Sequence, residues 1–356
     1  MQGMRIHLFA MPVLCFLAPF GPALAQQQAA FQFGLVGDAP YTKIQEKEFL
    51  NVVASLNRAE LAFVVHVGDI QADPRIYNRA PDTTTMPCIE ETYRMTRDVF
   101  QTIRHPFILT PGDNEWTDCV QLQARKVDPL DALSMVRNLF YPEGRSLGQR
   151  TIAVESQSKN PSFATFKENL RWSMGGVTFA TMHIVGSNDN LSGAPAMDAE
   201  HRERKAANLA WMRAAFSKAK ADGSRGLVLM SQANPGFENY WPPDARGRYF
   251  GPFVGRGAAP PAPASAFDDY VATLTEELEG YDKPVAYLHG DTHLLRMDKP
   301  LYSTKTKRLF ENFTRMETFC GTICGSKRNS AAERPQSPGQ LTKRHRRRLS
   351  HAAASG

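Results

Sequence analysis

Four apolar runs in this chain end in Gly-Asp: "LVGDAPY" passes through Asp38, "VVHVGDIQAD" through Asp69, "LTPGDNEWTDC" through Asp113 and "AYLHGDTH" through Asp291. Glu115 and Asp118 follow the third of these aspartates closely, and His293 follows the fourth. One Gly-Asp after a strand is ordinarily a turn or a helix cap. A set of four, each behind a run fit for a buried strand, describes a site. Carboxylates gathered in one crevice repel one another and are costly to desolvate. A hard cation removes both objections, because carboxylates are natural ligands for Mg²⁺, Mn²⁺ or Ca²⁺. Such a cluster also suits a pair of ions that clamps the attacking and leaving oxygens of a phosphoryl displacement.

The elements that must position these residues alternate along the chain. Near-continuous apolar runs predict buried strands at 31–36, 61–67, 106–110, 177–185, 226–232 and 284–290. Helical patterns fall between them, over 43–57, 89–104, 198–220 and 266–279. Asp198 reads as the cap of the third helix, with Glu200, Glu203 and Arg204 as charge on its exposed side. This alternation argues for a layered α/β fold. In an open α/β sheet, ligands bind beyond the carboxyl ends of the strands, where the four aspartates fall. His66 lies within its strand, and pleat alternation sends it away from Asp69, so it reads as a core histidine. His183 reads the same way. His289 borders the crevice and is a candidate supporting group behind the ligands.

Taken together, the stretches "VGDAPY", "HVGDI", "PGDNEWTDC", "QANP" and "HGDTH" resemble the calcineurin-like metallophosphoesterase superfamily, in a divergent, exported bacterial form. That family's order is D-x-H, G-D, G-N-H-[DE], a lone histidine after a strand, and G-H-x-H. The resemblance spans about residues 31 to 319 and implies a four-layer α/β/β/α sandwich, two mixed sheets flanked by helices. It assigns Asp38 to the first aspartate, with Pro40 where the family has a histidine. Asp69 takes the place of the aspartate that bridges two metals. Asp113 stands for the metal-binding asparagine, Asn114 for the histidine that assists the leaving group, and Glu115 keeps the acidic position; Asn114 and Glu115 are thus the catalytic candidates. Gln232 matches the lone histidine, with Ser231 as the alternative. Asp291 replaces the first histidine of the last motif and His293 keeps the second.

The exchanges share a direction, since nitrogen ligands give way to oxygen ligands. One metal position keeps Asp38, Asp69 and His293; the other takes Asp69, Asp113, Gln232 and Asp291. An oxygen-rich set favours Mn²⁺, Mg²⁺ or Ca²⁺ over zinc, with iron also compatible. Because Pro40 leaves the first position poor, a single ion is the alternative to a pair. The activity implied is hydrolysis of phosphate esters, mono- or diesters, on a phosphorylated small molecule. The competing reading is a catalytically degenerate, exported protein that binds metal or a phosphorylated ligand, favoured by the lost histidines and opposed by the oxygen-bearing side chains that replace three of them.

Residues 1–25 read as a secretory signal: Arg5 and His7, then "LFAMPVLCFLAPF", then the small-residue site "ALA". The apolar segment is short and broken by prolines, which argues against a membrane anchor. A periplasmic or secreted destination follows, and with it an oxidising environment. The domain proper is expected over 26–319. From Ser326 onward eight Lys/Arg face one acid, Glu333, so that the tail carries +7 of a formal net charge of +6. The body is therefore not basic, which argues against a specific nucleic-acid surface. Residues 320–356 read as a basic disordered tail, and "RLFENFTRMETF" (308–319) as a strand with no later partner, a combination that points to a frameshifted C-terminus. The stretch 251–264 reads as a loop or flap. Cys88 and Cys119 lie in loops that leave the same sheet edge if the strands are parallel, which predicts a disulfide between them. Cys320 and Cys324 are left unassigned.

Overall fold

The computed structural model describes residues 30–71, 87–121, 127–240 and 265–318. The signal segment, the stretch 251–264 and the tail with Cys320 and Cys324 lie outside the described residues.

The first sheet holds β1 (Gly34–Val36), β2 (Val64–His66) and β3 (Phe107–Leu109), in that order and all parallel. Every residue of these strands is buried, as expected of strands covered on both faces. Val36 pairs with His66, and His66 with Leu109, so the three carboxyl ends are level. The second sheet comprises β4 (Glu155–Ser156), β5 (Leu170–Met174), β6 (Val177–Thr181), β7 (Gly226–Met230), β8 (Val285–His289), β9 (Arg296–Asp298) and β10 (Phe313–Glu317). Its order is β4-β5-β6-β7-β8-β10-β9. The run β6-β7-β8-β10 is parallel, while β4, β5 and β9 join antiparallel. Thr181, Met230, Leu288 and the pair His289–Glu317 bring these strand ends to a common level as well. Among the described residues the three named strands of the first sheet are parallel, with one antiparallel bridge from Phe107 to Leu147 at its edge, and the second sheet is mixed.

The sheets meet through aromatic side chains. Phe63, just before β2, packs edge-on against Trp172 of β5 at 5.4 Å and Phe179 of β6 at 5.0 Å between ring centroids. Helices α1 (Lys43–Arg58), α2 (Glu90–Gln101) and α3 (Pro129–Phe140) add Phe49, Tyr93, Phe100 and Val136 to the same core. Helices α4 (Pro195–Ala221) and α5 (Asp268–Glu279) cover the second sheet through a separate core with Trp211, Phe216, Tyr270 and Leu274. α1 starts at Thr42, whose hydroxyl accepts from Gln45 N at 3.3 Å. α3, which the sequence reading does not name, is opened by the Asp128 cap and Pro129.

Two expectations are corrected here. Asp198 is not the cap of α4: Ala194 holds that position, and Asp198 accepts from Ser192 N and Gly193 N, both at 3.0 Å, from within the first turn. Arg204 is not on the exposed face but fully buried, where Asp189 and Glu200 take the place of water around its guanidinium. The strand expected within 308–319 finds its partners earlier in the sequence, β8 parallel on one side and β9 antiparallel on the other.

Candidate metal centre

The level strand ends bring the Gly-Asp loops of both sheets to one edge. Asp38, Asp69 and Asp291 all adopt left-handed backbone (φ 55°, 61° and 82°), as does His293 (φ 61°). Aspartate tolerates that region better than most residues, and the turn aims its side chain back over the strand end. The loops also press on one another. A Cβ at Gly112 would lie 2.0 Å from Asp69 Oδ1, so the Asp113 loop can cover Asp69 only with glycine there.

Asp38, Asp69 and His293 each offer a ligand atom, and these atoms lie within 4.8 Å of one another. Asp291 N–H donates to Asp38 Oδ1 at 3.0 Å, and Asn114 N–H approaches Asp69 Oδ1 at 3.4 Å, which fixes both carboxylates. Tyr41, unremarked in the sequence, belongs to the same group. Its hydroxyl is 3.3 Å from Asp38 Oδ1, 3.3 Å from Asp69 Oδ2 and 2.8 Å from His293 Nε2. The only signal for it in the sequence is its place three residues after Asp38.

The other candidate residues converge beside this triad. Gln232 Nε2 lies 3.1 Å from Asp69 Oδ2 and 3.2 Å from Asp113 Oδ1. Asp113 Oδ2 accepts from Ser187 Oγ at 2.8 Å, and Asp118 Oδ1 receives a weaker contact from the same hydroxyl at 3.3 Å. Asp291 Oδ2 accepts from Asn234 N at 2.9 Å. Ser231, the alternative to Gln232, turns away to Tyr287 Oη at 2.6 Å. Glu115 turns back into its own loop and accepts from Gly112 N at 2.6 Å. Cys88 and Cys119 form the expected disulfide, with Cα atoms 5.9 Å apart, and so tie the far end of the Asp113 loop to the segment before α2.

The histidines divide as read. His66 is buried and accepts from Gly68 N at its Nδ1 (3.2 Å), which leaves Nε2–H to donate to Ala39 O at 2.7 Å. Burial lowers its pKa to about 4, so it is a neutral strut between the Asp38 and Asp69 loops. His183 is buried against Glu168. His289 lies behind the site, with Nε2 3.9 Å from Glu317 Oε2. Glu317, also unremarked in the sequence, accepts from Thr292 N at 3.1 Å and from Thr292 Oγ1, and so clamps the turn between Asp291 and His293.

Electrostatically the site is starved of positive charge. Burial pushes Asp38 up to about 8. Burial, then the charge of Asp113, raises Asp291 to about 7. Burial, then the charges of Asp113 and Asp38, holds Asp69 well above the carboxylate range, and burial lifts Glu115 to about 7. Burial lowers His293. Groups so poised take up either protons or a cation. Two carboxylates, an imidazole and a phenol oxygen fit an ion that accepts oxygen and nitrogen ligands, such as Mn²⁺ or Mg²⁺.

No protein-family model matches this chain, and no curated protein sequence matches it. Among solved structures, one of PhoD resembles it with a TM-score of 0.42 and 12% sequence identity, over 82% of this chain and 56% of that one. The chain thus spans little more than half the length of that structure.

Proposed function

We propose that this chain is an exported, metal-dependent hydrolase of phosphate esters, of the calcineurin-like type that its motifs resemble. The observation that carries this reading is the triad Asp38, Asp69 and His293, with ligand atoms within 4.8 Å and Tyr41 among them. The finer layout, helices outside two stacked sheets in four layers, belongs to the same proposal, as do the leader over 1–25 and the domain over 26–319. A divalent cation held there supplies Lewis acidity toward a phosphoryl oxygen and lowers the pKa of water. The chain's own groups do the positioning. Asp291 N–H and Asn114 N–H orient the two carboxylates, and Glu317 sets the turn that presents His293. The Asn114 side chain can donate a hydrogen bond to a phosphoryl oxygen but has no acidic proton. Esters whose leaving groups depart readily as anions, such as aryl phosphates, are therefore the favoured substrates.

The test is hydrolysis of aryl phosphate mono- and diesters by chelator-treated protein with and without Mn²⁺, Mg²⁺ or Ca²⁺. Turnover restored by one of these ions and lost in Asp69→Asn is the expected result. Turnover indifferent to chelation would sink the reading. Metal binding without turnover of any ester would put the binding-module alternative in its place.

A further inference from the structure

The orientation of Gln232 bears on how many ions the site can hold. Its Oε1 is 2.6 Å from Gly186 N, and a backbone N–H can only donate, so the atom facing it must be the amide oxygen. The amide NH₂ is then the end directed at Asp69 Oδ2 (3.1 Å) and Asp113 Oδ1 (3.2 Å). An amide NH₂ carries two donors and no lone pair for a metal. Two of the three carboxylates that would define a second metal position are thus bridged by a donor group of the chain itself.

The amide cannot readily turn over. Gly186 opens a turn in which Ser187, Asn188, Asp189 and Asn190 all have left-handed backbone, with φ of 51°, 54°, 51° and 63°. Successive left-handed residues are unfavourable, so this turn persists only because its surroundings hold it. Asp189 Oδ1 accepts from Val185 N at 3.1 Å and pairs with the buried Arg204, and Asp189 Oδ2 accepts from Tyr270 Oη at 2.9 Å. The same turn delivers Ser187 Oγ to Asp113 Oδ2. A Cβ at Gly186 would come within 2.6 Å of Asp113 Oδ2 and 3.0 Å of Asp291 Oδ1, so the turn closes directly over these carboxylates.

We infer that the centre is mononuclear: one cation at Asp38, Asp69 and His293, with the Gln232 amide bridging Asp69 and Asp113 where a second cation would otherwise lie. This rests on the metal-dependent reading above and reverses the expectation that Pro40 makes the first position the weaker one. Asp113 and Asp291 then serve as hydrogen-bond acceptors that orient Gln232, Ser187 and the Asn234 loop, not as ligands.

The experiment is metal analysis of the full chain, stripped with chelator and re-equilibrated with excess Mn²⁺, with the electron paramagnetic resonance spectrum recorded on the same sample. One ion per chain with the hyperfine pattern of an isolated Mn²⁺ is expected. Two ions per chain with exchange coupling would overturn the inference while leaving the hydrolase reading intact, whereas no bound ion would overturn both. Gln232→Glu retains an oxygen for Gly186 N and replaces the NH₂ with a second oxygen. That variant should take up a second equivalent of Mn²⁺; a folded variant that still holds one would count against the inference. The wild-type measurement stands whether or not the variant folds.

Discussion

Two polar clusters in this molecule share carboxylates withdrawn from water and behave in opposite ways. Behind the second sheet, Asp189 and Glu200 grip Arg204, while Arg137 and His183 grip Glu168. Burial alone would raise Glu168, yet Arg137 and His183 bring it down to about 2, and Arg204 likewise holds Asp189 below its ordinary value against the effect of burial. At the strand ends, the buried Asp38 and the half-buried Asp291 rise to about 8 and about 7. Burial is the common factor, so the difference lies in the partner. One cluster carries its cations in the chain as guanidinium groups and is finished on folding. The other gathers carboxylates raised above their ordinary range and offers a candidate site for a cation from outside.

The contrast breaks most visibly at Arg204. Arg204→Met strands Asp189 and Glu200 in the interior and should lower unfolding free energy by about 3–5 kcal/mol in urea titrations. A loss below about 1 kcal/mol, the range of an exposed pair, would show that water reaches the cluster. Next in size is the disulfide. It closes a sequence separation of 31 residues, and replacing both cysteines by alanine should cost about 2–4 kcal/mol. Thermal unfolding under reducing and oxidising conditions provides the check.

Asp38→Asn sharpens the comparison because its sign is opposite. Asp38 is raised in the folded state, so the stability it contributes is present at low pH and is lost as pH rises from about 4 through about 8. Asparagine does not titrate there. The metal-free variant should therefore be more stable than wild type at pH 9, by on the order of 1 kcal/mol, and should lose the gain that Mn²⁺ gives wild type. Melting curves at pH 5 and pH 9, with and without Mn²⁺, test both halves; a variant less stable at pH 9 would mean that Asp38 is already compensated within the chain. The smallest effect is expected from Tyr41→Phe. Loss of one hydroxyl from the triad should weaken Mn²⁺ binding by roughly 3–10-fold in calorimetry.

The same contrast explains what could be read from the sequence. The four aspartates were legible because each follows Gly at the end of an apolar run, and the level registers of both sheets deliver them to one edge. The Cys88–Cys119 pairing followed from parallel strands. Tyr41, Ser187 and Glu317 were not legible, since each reaches the site through loop geometry or a strand pairing that the local sequence does not encode. The pattern of α4 misplaced Arg204, because a charged residue at helical spacing is counted as surface unless its buried partners are known. Gln232 does reach Asp69 and Asp113, but its orientation depends on which end of the amide faces Gly186, a matter of tertiary contact alone.

The bond between Cys88 and Cys119 also has a consequence in time. It joins the Asp113 loop to the body by a step that thiols complete only where they are oxidised. A newly made chain in a reducing compartment has the same residues but lacks that tether, and with it the covalent restraint on how Asp113 and Asn114 meet Asp69. Completion of the Asp113 loop is thereby tied to oxidation, so that the reduced chain presents an unfinished loop beside Asp69. Mn²⁺ affinity measured on the reduced and the oxidised chain gauges this delay; equal affinities would remove it.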